Sequence, residues 1–346
     1  MNARVVITAI FLLLPAESAT PQGFAGLGES ADDYANPDPD VRFSFPKDHG
    51  PHPEFRLEWW YLTANLRGAD GEDYGVQWTL FRNALLPSGL PNDQVWMAHA
   101  AIAAPSGHYY AQRLARGNLG TAGVIDAPFE AFLDEWHMRG PDLNDITLFA
   151  QGTDFAYDLN LNAASDFVAQ GTNGYSVKSE AGLASHYYSQ PHYRVEGTLD
   201  MPKGSIEVTG QGWLDREWSS QPLTSTQSGW DWVSLHFESG DKLMGYRLRD
   251  EDTGNYTVGT WISADGSATQ LTPGDLTMTP TTTDVVEGRD IPTAWRIALP
   301  EKSLEIDVAA LYPNSWMPTF VPYWEGPVRV SGSHTGRGYL EMTGYE

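Results

Sequence analysis

The sequence predicts an all-β chain built as two tandem antiparallel β-barrel domains. Three observations predict it. Short runs rich in aromatic and β-branched residues recur along the chain, separated by turns that carry Gly, Asp or Pro. No stretch holds a helical period for more than two turns. A Ser/Thr-rich segment without charge, residues 219–228 (SSQPLTSTQS), divides the runs into two series. The composition agrees: 13 Trp and 16 Tyr supply core bulk, while 34 Gly and 23 Pro supply turns.

Taken in order, the chain opens with Arg4 and an apolar run from Val5 to Leu14, closed by Pro15 and the small-x-small triplet Ala16-Glu17-Ser18. About ten apolar residues are too few to span a bilayer and suit a signal peptide over residues 1–19, so an exported protein, periplasmic or secreted, is expected. No other long apolar run exists, and no stable membrane span is expected. Residues 20–42, rich in Gly, Asp and Pro, read as a linker. The first domain is expected over 43–220. Its strands run over 55–66, 74–81 and 95–103, then 146–151, 155–161, 193–199 and 206–213. Residues 127–139 fit a helical spacing through Phe129, Phe132, Leu133 and Trp136, although the meander after them favours a strand at Trp136. The second domain is expected over 221–346. Its strands run over 230–237, 242–249, 255–262, 294–299, 304–309, 326–332 and 338–343. Each series suffices for a barrel of roughly eight strands or a little more, enough to enclose one small ligand.

Charge and residue types exclude several functions. The net charge of −24 argues against a nucleic-acid partner, which needs a basic surface. The chain has no cysteine, so disulfides, thiolate nucleophiles and Cys-bound metals are ruled out. There is no Gly-x-Ser-x-Gly elbow, no phosphate loop and no dinucleotide fingerprint. His49 and His52 lie in a Pro-rich stretch without an evident third ligand, so neither a metal nor another cofactor is expected.

The strongest local signal is Trp213-Leu214-Asp215-Arg216-Glu217-Trp218, followed by Trp230-Asp231-Trp232. Charge beside large aromatics is costly to bury unless it is paired. The pattern predicts a polar spot inside an apolar barrel interior. Asp215, Glu217 and Asp231 are the candidate acids. Glu58 shares a strand face with Trp60 and Leu62, and Arg216 is its expected counter-ion. His99 sits among small alanines on the face of Val95 and Met97. Trp230, Trp232, Ser234 and His236 share a face that reads as a cavity lining or as an outer face covered by the other domain. The candidate ligand contacts are therefore Glu58, Trp60 and His99 early in the chain, Arg216 and Trp218 in the motif, and Trp230, Trp232 and His236 after it.

Several ordered motifs also resemble one family. These are Phe45-Pro46-Lys47-Asp48-His49-Gly50-Pro51-His52-Pro53, Glu58-Trp59-Trp60-Tyr61, Met97-Ala98-His99-Ala100-Ala101 and Tyr110 to Arg116. Further on come Tyr187-Tyr188-Ser189, the two Trp motifs and Gly338 to Tyr345. Over about residues 43–345 the chain resembles the lipocalin-like proteins of the carotenoid 1,2-hydratase (hydroxyneurosporene synthase) and AttH group. The resemblance implies two lipocalin-like barrels in tandem. It implies either cofactor-free hydration of an isoprenoid double bond or, in exported AttH-type members called predicted secreted hydrolases, work beside a transport system. Hydratases of the group carry Asp-His-x-Trp where this chain has Asp215-Arg216-Glu217-Trp218, and arginine cannot serve as acid or base. The expectation is an exported protein that binds an apolar lipid or isoprenoid ligand. The alternative is a carotenoid 1,2-hydratase-like lyase or a hydrolase.

Overall fold

A computed structural model describes residues 31, 33–221 and 223–345; the expected signal peptide lies outside them. The alternation of apolar and polar residues makes strands, and 23 of them form two antiparallel sheets with no α-helix among the described residues. The first half gives β1 (Leu57–Gly68), β2 (Asp73–Ala84), β3 (Gln94–Ala104), β4 (Gly107–Arg116), β5 (Ala122–Ile125), β6 (Phe129–Leu133) and β7 (Trp136–Asp142). It continues with β8 (Asp145–Gln151), β9 (Ala156–Ala163), β10 (Val168–Ala169), β11 (Tyr175–Val177), β12 (Ala184–Met201) and β13 (Gly204–Ser219). The second half gives β14 (Gln227–Phe237), β15 (Lys242–Asp250), β16 (Tyr256–Ile262), β17 (Ala268–Leu271) and β18 (Thr277–Val286). It ends with β19 (Arg289–Leu299), β20 (Leu304–Ala310), β21 (Trp316–Met317), β22 (Tyr323–Gly332) and β23 (Gly336–Thr343).

The first sheet runs β4-β3-β2-β1-β13-β12-β9-β8-β7-β6-β5, and its far end curls back so that β6 lies near β3 and β4, a nearly closed barrel. The second runs β17-β16-β15-β14-β23-β22-β20-β19-β18 and curves into a half-barrel. Residues 129–133 and 136–142 are strands, so the helical spacing there is incidental.

Each sheet has its own core. Trp60, Leu62, Trp78, Trp136 and Leu148 fill the first, and Val233, Leu235, Trp295 and Trp324 the second. A third apolar cluster lies where the sheets face each other, with Leu57, Tyr61, Tyr187, Trp213, Trp230, Trp232 and Tyr246. Burial of such large rings contributes roughly 1.5–3 kcal/mol each and favours docking of the two sheets. Gly75 marks how close the approach is. A Cβ there would lie 2.7 Å from Pro327 and 2.7 Å from the Tyr339 hydroxyl.

Candidate functional site

The central pair β1 and β13 carries the motif residues, and the two-residue period of a strand sends them to opposite faces. In register, Glu58 stands opposite Trp218 and Tyr61 opposite Asp215. Glu58, Trp60, Arg216 and Trp218 turn into the first barrel, while Trp59, Tyr61, Asp215 and Glu217 turn toward the second sheet.

The inward set is a buried ion cluster. Glu58 accepts from the Arg82 guanidinium, from Arg216 Nη2 at 3.2 Å and from the His52 backbone N–H at 2.8 Å. Burial alone would raise the Glu58 pKa, but Arg82, His52 and Arg216 hold it well below the carboxylate range. Arg216 stacks 3.8 Å from the Trp60 ring centre and donates to the Gly50 carbonyl at 2.7 Å. His52 lies flat on Trp218 at 3.9 Å and bonds Glu58 and Asp48. His49 bonds the Tyr188 hydroxyl at 2.7 Å. Arg216 is thus the expected partner of Glu58, and Arg82 is a second one. Residues 49–52 cap this cluster, in which the Arg216 Nε alone of its guanidinium nitrogens is buried without a hydrogen-bond partner.

The outward set lines a cavity between the sheets. Its first wall is Trp59, Tyr61, Phe81, Tyr187, Asp215 and Glu217. Its second is Trp230, Trp232, Tyr246, Tyr323 and Glu341, and Lys178, Ser185 and Leu223 close one side. Glu58 and Arg216 thus lie inside the first barrel, whereas Asp215 and Glu217 lie in the seam between the sheets. For these two acids this corrects the expected barrel-interior location; strand alternation is the cause.

Asp215 is fixed by three donors: Ser189 Oγ at 2.5 Å, Tyr187 Oη at 2.6 Å and Trp213 Nε1 at 2.7 Å. Burial pushes its pKa up to about 7 against those bonds. Glu217 accepts from Ser185 and pairs with Lys178 at 3.1 Å. The Lys178 ammonium also lies 4.3 Å from the Tyr187 ring centre and 4.7 Å from that of Tyr246. Glu341 accepts from Trp230 Nε1 at 2.8 Å, and burial, with Asp215 and Glu217 nearby, raises it to about 7.

Other expected residues lie elsewhere. Asp231 faces the second core, opposite to Trp230 and Trp232, paired with Arg247 at 2.8 Å and Arg249 at 2.7 Å. It does not share the cavity. His99 is buried behind the wall, its Nδ1 at 3.0 Å from the Tyr323 hydroxyl. His236 lies apart from the cavity, bonded to the Pro191 carbonyl at 2.8 Å and edge-on to Trp213. Sequence reasoning missed Lys178, Tyr187, Tyr323, Glu325 and Glu341 as site residues. Tyr323-Trp324-Glu325 carries the same signal, charge beside aromatics, that singled out Asp215.

No described helix is long and apolar enough to cross a membrane. No curated protein matches the chain. Among solved structures, it is similar to an AttH protein of Nitrosomonas europaea, with 32% identity over 90% of this chain and 99% of that one, and a TM-score of 0.82. The fold also matches kievitone hydratase of Nectria haematococca, with 16% identity over 90% of this chain and 96% of that one, and a TM-score of 0.67. It matches CghA with Sch210972 at 11% identity over 92% of this chain and 98% of that one, with a TM-score of 0.56. The AttH-like family model spans residues 36–345, nearly all of the sequence, and on that match the chain belongs to the AttH-like family.

Proposed function

We propose that the seam cavity binds an apolar small molecule, a lipid or isoprenoid, and adds water across its carbon–carbon double bond by acid catalysis. One observation carries this: a buried carboxyl, Asp215, stands on an aromatic cavity wall, held by three hydrogen bonds and poised near neutral pH. A general acid works best when its pKa lies near the working pH. Protonation of an alkene leaves a carbocation, and aromatic faces stabilise positive charge. The seat of Lys178 on Tyr187 and Tyr246 is an example within this cavity. Glu217, already paired with Lys178, adds negative charge beside Asp215. Water then adds to the cation and gives up a proton. The fold is shared with kievitone hydratase, whose name describes a hydration.

The test is a hydration screen with acyclic isoprenoids, beside binding measured by tryptophan fluorescence. Asp215→Asn keeps the shape and removes the acid. Turnover is expected to fall on the order of 10²–10⁴-fold, with affinity nearly retained. Binding by the wild type without turnover of any alkene would leave a binding protein and remove the catalytic part. We further propose export, on the apolar run at Val5–Leu14; an intact Met1 on protein recovered from its host would count against it.

A further inference from the structure

Behind the cavity wall lies a carboxyl, Glu325, that takes no part in the chemistry above. β22 and β23 pair so that Glu325 stands directly opposite Glu341. Both turn toward the first sheet. Directly opposed carboxylates repel, and in the ion pairs of the described residues no lysine or arginine reaches either one. The Tyr61 hydroxyl donates to Glu325 Oε1 at 2.5 Å, and Trp230 Nε1 donates to Glu341 at 2.8 Å. A phenol has one proton to give. Spent on Glu325, it does not offset a charge on Glu341, and two opposed buried carboxyls without a cation are relieved when the pair keeps one proton. The Tyr323 hydroxyl lies 3.0 Å from His99 Nδ1 and accepts from Gln77 Nε2 at 3.3 Å. Glu325 Oε2 is buried without a partner.

We propose that Glu325 and Glu341, directly opposed and without a cation, hold one proton between them, and that Glu341 is the second acid–base group of the cavity, on the wall opposite Asp215. The catalytic role rests on the hydration reading above; the shared proton does not. With the proton resting on Glu325, Glu341 is the free carboxylate. The alkene π pair takes the Asp215 proton and forms C–H. The water oxygen bonds the resulting cation, and its O–H bond breaks onto Glu341. The sum is one water added, and the proton passes through cavity water back to Asp215. Glu325 is a positioning residue that sets the charge of Glu341. Asp215, Glu217, Tyr246, Tyr157 and Tyr339 also face the pair, and the cation of the same cavity, Lys178, is paired with Glu217.

The experiment is an infrared titration of protonated carboxyls in the full chain, wild type against Glu325→Gln. Glutamine still accepts from Tyr61 but holds no shared proton. The wild type should keep a protonated carboxyl above neutral pH. Glu325→Gln should lose it, and Glu341 should then titrate lower by about one pH unit or more, as expected when a like charge is removed. Tyr61→Phe, which removes the donor to Glu325, serves as a second variant should glutamine impair folding, and it too should change the titration. An unchanged carboxyl titration in either variant, folded by circular dichroism, overturns the shared proton. A changed titration with no alkene hydrated by the wild type keeps the pair and removes its catalytic role. If the wild type hydrates an alkene and Asp215→Asn abolishes this, Glu325→Gln should shift the pH–rate profile; an unmoved profile overturns Glu341 as the base while the hydration reading stands.

Discussion

At the scale of single residues, the motif around Arg216 holds two chemistries back to back. Arg216 belongs to the fold: its charge is buried with Glu58, and removing one partner of such a pair costs about 3–5 kcal/mol. Arg216→Met should lower the denaturation midpoint by that order; a midpoint equal to wild type would show that Arg82 alone suffices for Glu58. Asp215 belongs to the cavity, and its raised pKa has a sign that can be checked. The folded protein holds this proton up to about 7, whereas the unfolded chain releases it near the ordinary value of 3.8. The contribution is thus fully present below the unfolded value and is lost as pH rises through the folded one. Relative to Asp215→Asn, the wild type should lose stability by up to about 1.4 kcal/mol per pH unit across that window. Urea midpoints measured from acid to neutral pH read this directly; parallel curves for the two proteins would refute it. The sequence showed Asp215, Glu217 and Arg216 as charges among indoles. It did not show that one side of the strand meets a barrel core and the other meets a second sheet. Alternation gives two faces, but what covers each face is a tertiary fact.

At the scale of elements, strands with strong alternation and buried aromatics, such as β1, β2, β3 and β14, were legible almost to their ends. Others were hidden for identifiable reasons. β18 is mostly exposed threonine with Pro280 inside it, the signature of an edge rather than a core strand. β4 alternates between half-buried and exposed positions at the other sheet's edge, so its apolar signal is weak. β12 begins at Ala184, nine residues before the expected Tyr193, because the register shifts between Gln190 and Tyr193 around Pro191. That shift matters, because the earlier part of β12 supplies Ser185, Tyr187 and Ser189 to the two acids. The seam itself depends on close approach at Gly75 on β2. Gly75→Val should force the sheets apart there, at about 1–3 kcal/mol for an overpacked contact. The readout is reduced thermal stability together with weaker binding of an apolar fluorescent probe; unchanged binding and melting would show that the sheets adjust freely.

At the scale of the whole molecule, the chain places its most polar chemistry where its two sheets meet. Asp215 and Tyr187 come from the first sheet, Trp232 and Glu341 from the second, and residues 220–226 connect the two. The site is a joint as well as a pocket. A molecule resting on both walls is mortar between two blocks, and by mass action it must tighten the joint. At a hundredfold excess over its dissociation constant the gain is about 2.7 kcal/mol. Cleavage of the 220–226 connection by a protease should therefore slow, and thermal unfolding should rise, with the right compound and with no other. Screening lipids and isoprenoids by that protection would find the natural occupant by the mechanical consequence of its fit, ahead of any knowledge of what happens to it afterwards.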